Sequence, residues 1–424
     1  MQRLEVDTLK DPINSDVLLT LQLRTINSPW LPRLREFECR NATKAFISFI
    51  PLFLSKKTTV VNIRFAKDHP IVAVATTIRR LSTLCLNLEW ITLEDLPRDP
   101  IITEAVSEML LSCNRDTLEE FFVDSPLTEE AQEVACRLPE LSHLWTVIQG
   151  PTLLPTLALP NLTVMDIEYD GDLNWLEGFR GATLGELESI VFHTETNDIG
   201  NFLEGFESVA LTTPIKNTLS VFKFCTSRPW NPMYSSLLSF HQLKKLVIQF
   251  SCEGGCSSRV DDDIIVSLAQ AMPKLEVLQL GGAPCKTPTG ITVNGFINLA
   301  CRCPHLSSLC IHFRANTLVE AAASATAQSR SDKPVSRGED CALTDLEVGK
   351  TPIPAQSGST VALAILHIFP RILNVKYASR EWKTVTKTIK DFVRIGRFVR
   401  RSSKTPITRL TTHINAFPGA AIDH

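Results

Sequence analysis

Cysteine and histidine are the residue types in this chain whose spacing could support metal chemistry. Cys252 and Cys256 are separated by three residues, and Cys301, Cys303 and His305 form a second cluster. Structural zinc sites use four ligands, and neither cluster is accompanied by a second paired half. We therefore expect no metal and no cofactor. The cysteines are expected to be reduced thiols that serve as small apolar side chains.

The motifs that mark common enzyme classes are missing from the sequence. It contains no Walker loop, no G-x-S-x-G turn, no H-E-x-x-H helix and no dinucleotide fingerprint. Its nine histidines are scattered, and His143, His193 and His312 are expected at surface positions of strands. These features favour a binding protein over an enzyme.

The composition of the 424 residues is that of an ordinary globular protein, with 44% hydrophobic residues and a formal charge of −3. This charge gives no chain-wide argument for nucleic-acid binding. The first ten residues contain no apolar core of a signal peptide. The most apolar run, residues 45–54, has about half of the roughly 20 residues that span a bilayer and contains Pro51. We expect a cytoplasmic or nuclear protein that is not secreted and has neither a membrane nor a nucleic acid as its partner.

The elements that must position any binding site are repeats. The phrase apolar-x-x-apolar-x-apolar, as in Leu275, Leu278 and Leu280, occurs thirteen times between residues 34 and 377. Most copies are 21 to 32 residues apart. The weakest copy has Thr146 at its third apolar position. A phrase that returns at this period indicates stacked structural units.

Segments with helical spacing lie between the phrases. Thr128–Pro139, Asp261–Pro273 and Thr292–Pro304 each end in a proline directly before the next phrase. Proline disfavours helix at the preceding residue, so each helix is expected to stop there and a strand to begin. The sequence predicts an α/β leucine-rich-repeat solenoid, a horseshoe with parallel concave strands and convex helices. The alternative is an ordinary α/β domain, which usually has Gly-rich loops after its strands.

The predicted domain organisation follows from these repeats. Residues 1–30 form an N-terminal cap or lead-in helix, 31–378 form the solenoid with a mobile loop at about 315–340, 379–402 form a basic capping helix, and 403–424 form a flexible tail. Between Arg380 and Lys404 there are nine basic and two acidic residues. This segment could be an amphipathic helix for anionic membranes or nucleic acid. We favour a cap, because the terminal repeat of a solenoid needs a polar outer surface.

The stretches "LPRLREFECR", "MPKLEVLQL" and "CPHLSSLCIHF" resemble the repeat regions of fungal F-box/leucine-rich-repeat proteins of the basidiomycete type. The closing segment at residues 362–389 is similar to their last repeat and tryptophan-bearing helix, and the resemblance covers roughly residues 15–395. It implies a substrate-recognition component of a cullin-type ubiquitin ligase, in which an F-box recruits a Skp-type adaptor. Residues 1–30 contain no F-box pattern, so the adaptor is expected as a partner only if an F-box lies upstream. The alternative is a plain repeat scaffold with no ubiquitin-ligase role.

Alternate strand residues of the repeats should point away from the core, onto the concave face. On the third to sixth repeats these positions hold large aromatics beside carboxylates, a combination that suits an interface. We expect this patch to bind a protein segment with basic and apolar residues. The alternative is that the repeat frame slips by one residue and the aromatics enter the core. The predicted partner-binding residues are Trp90, Glu94, Glu120, Phe122, Asp124, His143, Trp145, Asp166 and Glu168.

Overall fold

The computed structural model describes residues 2–10, 15–24, 29–67, 70–149, 156–170, 182–184, 187–194, 206–207, 215–226, 234–250, 260–281, 290–320, 340–349, 351–377 and 379–402. The chain divides into two compact units, the first comprising Met1–Arg259 and Ser267–Thr287, the second Val260–Val266 and Pro288–His424. Most of the predicted mobile loop, the predicted tail and the pair Cys252 and Cys256 lie outside the described residues.

Parallel strands dominate both units, and within each unit they pair in chain order. The sheet of the first unit contains β1 Arg3–Asp7, β2 Glu36–Ala42, β3 Val60–Phe65, β4 Trp90–Glu94, β5 Glu120–Pro126, β6 His143–Gln149, β8 Val164–Asp170, β10 Ser189–Thr194, β11 Val221–Thr226, β12 Lys245–Phe250 and β13 Val277–Leu280. Two short strands, β7 Ala158–Leu159 and β9 Thr183–Leu184, pair with each other. The second unit contains β14 Ser308–Ile311, β15 Asp345–Glu347 and β16 Asn374–Lys376.

Helices lie between many of the successive strands. The first unit has α1 Ser15–Arg24, α2 Lys44–Ile47, α3 Ile71–Leu84, α4 Pro100–Ser112, α5 Glu129–Ala135 and α6 Ile215–Thr218, with short 3-10 turns at Ile50–Leu52 and Tyr234–Leu237. After α7 at Asp262–Ala271, the second unit has α8 Val293–Arg302, α9 Gly358–Ile368 and α10 Trp382–Ser402. Among the described residues, none of the helices combines the length and apolarity needed to traverse a bilayer.

The repeat prediction is confirmed, because every copy of the leucine phrase coincides with a parallel strand. In β13, Leu278 and Leu280 are buried, while Val277 between the core positions is partly exposed. Leu278 lies beside Leu246 of β12 in register. The leucines therefore form a continuous core ladder, and the fold is an α/β leucine-rich-repeat arrangement of parallel strands and connecting helices.

The predicted ends of helices before proline residues are also confirmed. Helices α5, α7 and α8 end before Pro139, Pro273 and Pro304, and a strand follows each of them. Strand β1, in which Leu4 and Val6 pair with Phe37 and Cys39 of β2, was not among the thirteen copies. Met1, Leu4 and Val6 have the same spacing as the phrase, so the pattern could have predicted this strand.

The helix α10 of the second unit packs through one face. Trp382, Val385 and Ile389 are buried, at a spacing that places them on one side of a helix. The indole Nε1 of Trp382 donates a hydrogen bond to the backbone oxygen of Thr351 at 2.7 Å. A hydrogen bond inside the core fixes how this helix sits against its unit.

Candidate functional site

In the first unit, side chains alternate along each strand between the core and the opposite face of the sheet. We call the latter the open face. The frame-slip alternative fails, because Phe121 and Leu144 occupy the core while Trp90 is 44% exposed. The central in-register row of the open face runs through Thr92, Phe122, Trp145, Asp166, Val191 and Lys223.

An aromatic pair lies at the centre of the predicted patch. The rings of Phe122 and Trp145, on adjacent strands, stack with centroids 4.0 Å apart and planes inclined by 17°. Both side chains are partly exposed. Trp90 lies on the next strand, and its Nε1 donates to Glu119 Oε2 at 3.4 Å. The patch thus offers aromatic surface that is already ordered before a partner arrives.

The carboxylates nearest β4 and β5 have partners within the chain. Arg64 reaches Glu94 at 2.5 Å from its guanidinium nitrogen and also lies 3.4 Å from Asp95. The Nδ1 atom of His143 lies 3.4 Å from Oε1 of Glu120. These are exposed or half-exposed pairs, so each contributes little to stability. The Arg64 pairs reduce the negative charge that the patch presents.

Asp124 stabilises the turn that follows β4. Its carboxylate accepts hydrogen bonds from the backbone nitrogens of Asp95 at 2.5 Å and Leu96 at 2.9 Å. Asp95 has φ +59°, a left-handed conformation that costs free energy outside glycine. Burial raises the pKa of Asp124 to about 6, while the two backbone hydrogen bonds act in the opposite direction. The side chain therefore braces the turn after β4.

Asp166 lies beside the aromatic pair in a partly buried setting. Burial raises the pKa of its carboxyl group to about 6, and the charge of Lys223 and a hydrogen bond from the Trp145 side chain oppose that rise. Its Oδ1 is buried without a hydrogen-bond partner in the described part of the chain. The Nε2 atom of His193 is 3.5 Å away. Burial and Lys223 lower the pKa of His193, so this contact is not an ion pair at neutral pH.

Glu168 is paired across a long distance in sequence. Arg98, in the turn after β4, forms a charged hydrogen bond with Oε1 of Glu168 on β8. The strands β5 and β6 lie between these two partners in the sheet. Sequence reasoning missed this pairing, because no pattern relates residues 70 positions apart. Each predicted acid of the patch therefore has a contact within the chain, and the aromatic surface is what remains available.

The cluster Cys301, Cys303 and His305 lies at the end of α8 and before β14. Burial raises the pKa of Cys303 to about 12, which keeps this thiol protonated. Within the described ranges, no three His, Cys, Asp or Glu side chains are grouped as a metal site requires. His312, expected at the surface, is instead buried, with its imidazole against Gly349. That expectation was wrong, because Gly349 has no side chain and leaves room for the imidazole to pack against its backbone.

The fold and its open face define a protein of the leucine-rich-repeat class. No protein-family model matches the chain, and no curated protein matches it. Among solved structures, the chain is similar to one from the crystal structure of the yeast Rad7 and Elc1 complex. The two share 12% sequence identity with a TM-score of 0.45, over 88% of this chain and 87% of that chain. A likeness at this level does not indicate what the present chain binds.

Proposed function

We propose that this protein is a non-enzymatic scaffold that binds a protein partner on the open face of its first unit. The observation that supports the proposal is the group of aromatic side chains on β4, β5 and β6. Trp90 is 44% exposed, and the stacked rings of Phe122 and Trp145 lie on the neighbouring strands. Exposed aromatic side chains grouped in this way are typical energetic centres of protein interfaces.

The pairings within the chain refine the expected partner. Arg64 and Arg98 already neutralise Glu94 and Glu168, and Asp124 is occupied by backbone nitrogens. The binding free energy is therefore expected to come mainly from burial of the aromatic rings. A basic residue on the partner contributes mainly by raising the rate of association through electrostatic attraction. The proposed ligand is a protein segment that presents apolar side chains, with basic residues at its margin.

The test begins with a photo-crosslinking residue at Val191 on the open face. The crosslinked protein is identified and purified, and its affinity is measured by calorimetry. We expect Trp90→Ala and Trp145→Ala each to weaken binding by about tenfold or more, which corresponds to at least ~1.4 kcal/mol. Matched controls are Val72→Ala and Ile101→Ala, since both are exposed apolar residues on helices. Equal affinity of the Trp variants and the wild type would refute the proposal.

Two roles are compatible with such a scaffold, and we propose the first on the resemblance in sequence. In the first role the chain selects substrates for a cullin-type ubiquitin ligase, and in the second it binds its partner without ligation. Mixing the purified product of the full-length transcript with a Skp-type adaptor and measuring co-elution separates them. A stable complex supports the ligase role. Failure of a full-length transcript product to bind the adaptor supports the plain scaffold.

A further inference from the structure

The helix α10 carries a line of positive charge that the proposed scaffold role does not use. Lys383, Lys387, Lys390 and Arg394 are exposed, at intervals of four, three and four residues. Because successive residues of an α-helix turn by about 100°, the four positions fall within roughly 60° of one another around the axis. We call them the basic stripe. In sequence the same spacing continues to Arg397 and Arg401.

The basic stripe keeps its charge among the described residues, where none of its four side chains forms an ion pair. The first turn of α10 contains no acidic residue. Asp391 is exposed and lies four residues after Lys387 and three before Arg394, so it borders the stripe on one side. The stripe and this flank together carry four positive charges and one negative charge.

The opposite side of the helix excludes one class of ligand. Amphipathic helices bind membranes by burying their apolar face among the acyl chains. The apolar face of α10 is already occupied over its first turns, since Trp382, Val385 and Ile389 are buried in the protein, whereas Ile395 further along is 54% exposed. The hydrogen bond from Trp382 to Thr351 anchors that face further. Membrane insertion of this helix would require its removal from the core.

The composition of the stripe also argues against a protein ligand. Protein interfaces are depleted of lysine and centre on aromatic or aliphatic anchors. The four stripe positions hold three lysines and an arginine. Contacts between lysine or arginine and phosphate are instead the main source of affinity for nucleic acids. The stripe extends for about 16 Å along the helix axis, which matches about five phosphates of one strand.

We infer that the basic stripe of α10 binds the phosphodiester backbone of a nucleic acid without sequence preference. This departs from the expectation based on net charge, because a formal charge of −3 for the whole chain does not describe how the charges are distributed. The inference is independent of the open face, and either can fail without the other. Four phosphate contacts predict that log K falls with log salt with a slope of about −3.6.

The experiment measures binding of the full chain to a fluorescent 20-nucleotide DNA strand and to a 20-base-pair duplex by anisotropy. Between 50 and 200 mM salt we expect the affinity to fall on the order of 100-fold for four contacts. The fourfold variant K383E/K387E/K390E/R394E should reduce the magnitude of the salt slope by about 3 to 4. Matching thermal unfolding of the variant and the wild type establishes that the variant folds.

A matched control keeps the change in net charge the same. The variant K44E/K56E/K57E/K67E reverses four exposed lysines of the first unit and should retain most of the wild-type affinity. Absence of wild-type binding at 50 mM salt would overturn the inference, as would an equal loss in both fourfold variants. Binding only to vesicles of phosphatidylcholine and phosphatidylserine would also overturn it. The single-stranded and duplex probes distinguish which form of nucleic acid is preferred.

Discussion

Thr146 offers a direct test of how the core of the first unit is built. It takes the third apolar position of a leucine phrase and is buried. Its hydroxyl has no hydrogen-bond partner among the described residues, and the same holds for Oε1 of Gln132. Both side chains line a cavity of about 20 Å³, together with Leu144 and Met165. Replacing the hydroxyl with a methyl group should therefore stabilise the protein.

The expected size of the effect follows from the cost of a buried polar group without a partner. Such a group costs about 1–3 kcal/mol, and a buried methyl group contributes about 0.8 kcal/mol. The gain is smaller than the sum of these two contributions, because the side chains around the cavity can adjust in both the wild type and the variant. We therefore expect Thr146→Val to raise the free energy of unfolding by about 1–2 kcal/mol. The assay is urea denaturation followed by circular dichroism, with the midpoint expected to shift upward.

Thr58 provides a matched control, because it is equally buried but its hydroxyl is satisfied. It donates to the backbone oxygen of Leu34 at 3.2 Å and accepts from the backbone nitrogen of Ser55 at 3.1 Å. Thr58→Val should lower the free energy of unfolding by about 1–3 kcal/mol. A loss of stability in Thr146→Val similar to that in Thr58→Val would refute the reasoning, since it would show that the Thr146 hydroxyl is hydrogen-bonded in solution.

Three further changes test other parts of the structure. Gly349→Ala should destabilise the second unit by at least about 2 kcal/mol. The reason is that the residue has φ +54° and that a Cβ would come within 2.6 Å of the His312 ring. Unchanged thermal unfolding would contradict this prediction. Burial raises the pKa of Asp166 to about 6, above the ordinary aspartate value of about 3.9. This group therefore contributes stability that is present below about pH 3.9 and is lost as the pH rises through about 6. Asp166→Asn should therefore flatten the decline of the unfolding midpoint between pH 4 and 7, and identical pH profiles would count against the assignment. Asp262→Ala should lower the free energy of unfolding by about 1–3 kcal/mol, because Oδ1 of Asp262 accepts hydrogen bonds from the backbone nitrogens of Thr292 at 2.8 Å and Gly295 at 3.1 Å. Hydrogen exchange that stays slow at both amides in the variant would argue against this prediction.

The positions of the strands, and the side of each strand that faces the core, could be predicted because both depend on residues that are close in sequence. The interval between leucines sets the core ladder, and the alternation along a strand places Phe122 and Trp145 outside the core. A proline at the end of each connecting segment fixes where three of the helices stop, as before Pro273. These signals are local and recur, so an error in one copy is corrected by the others.

The polar contacts of the open face could not be predicted in the same way. The partners of Asp124 are backbone nitrogens in the turn after the preceding strand, and Arg98 crosses two strands to reach Glu168. Which side chain meets which depends on the path of each loop, and loop paths vary from repeat to repeat. The predicted acids therefore lie where expected, but their intramolecular pairing was not foreseen.

The sequence by itself determined that parallel strands pack side by side with their leucines in the core, and that aromatic side chains lie on the opposite face. Tertiary structure alone decided how much of that face is free for a partner, and that α10 buries its tryptophan side while its lysines face solvent. The physical reason is that burial of apolar side chains follows a short sequence period, whereas the pairing of charges depends on distances between segments that are remote in the chain.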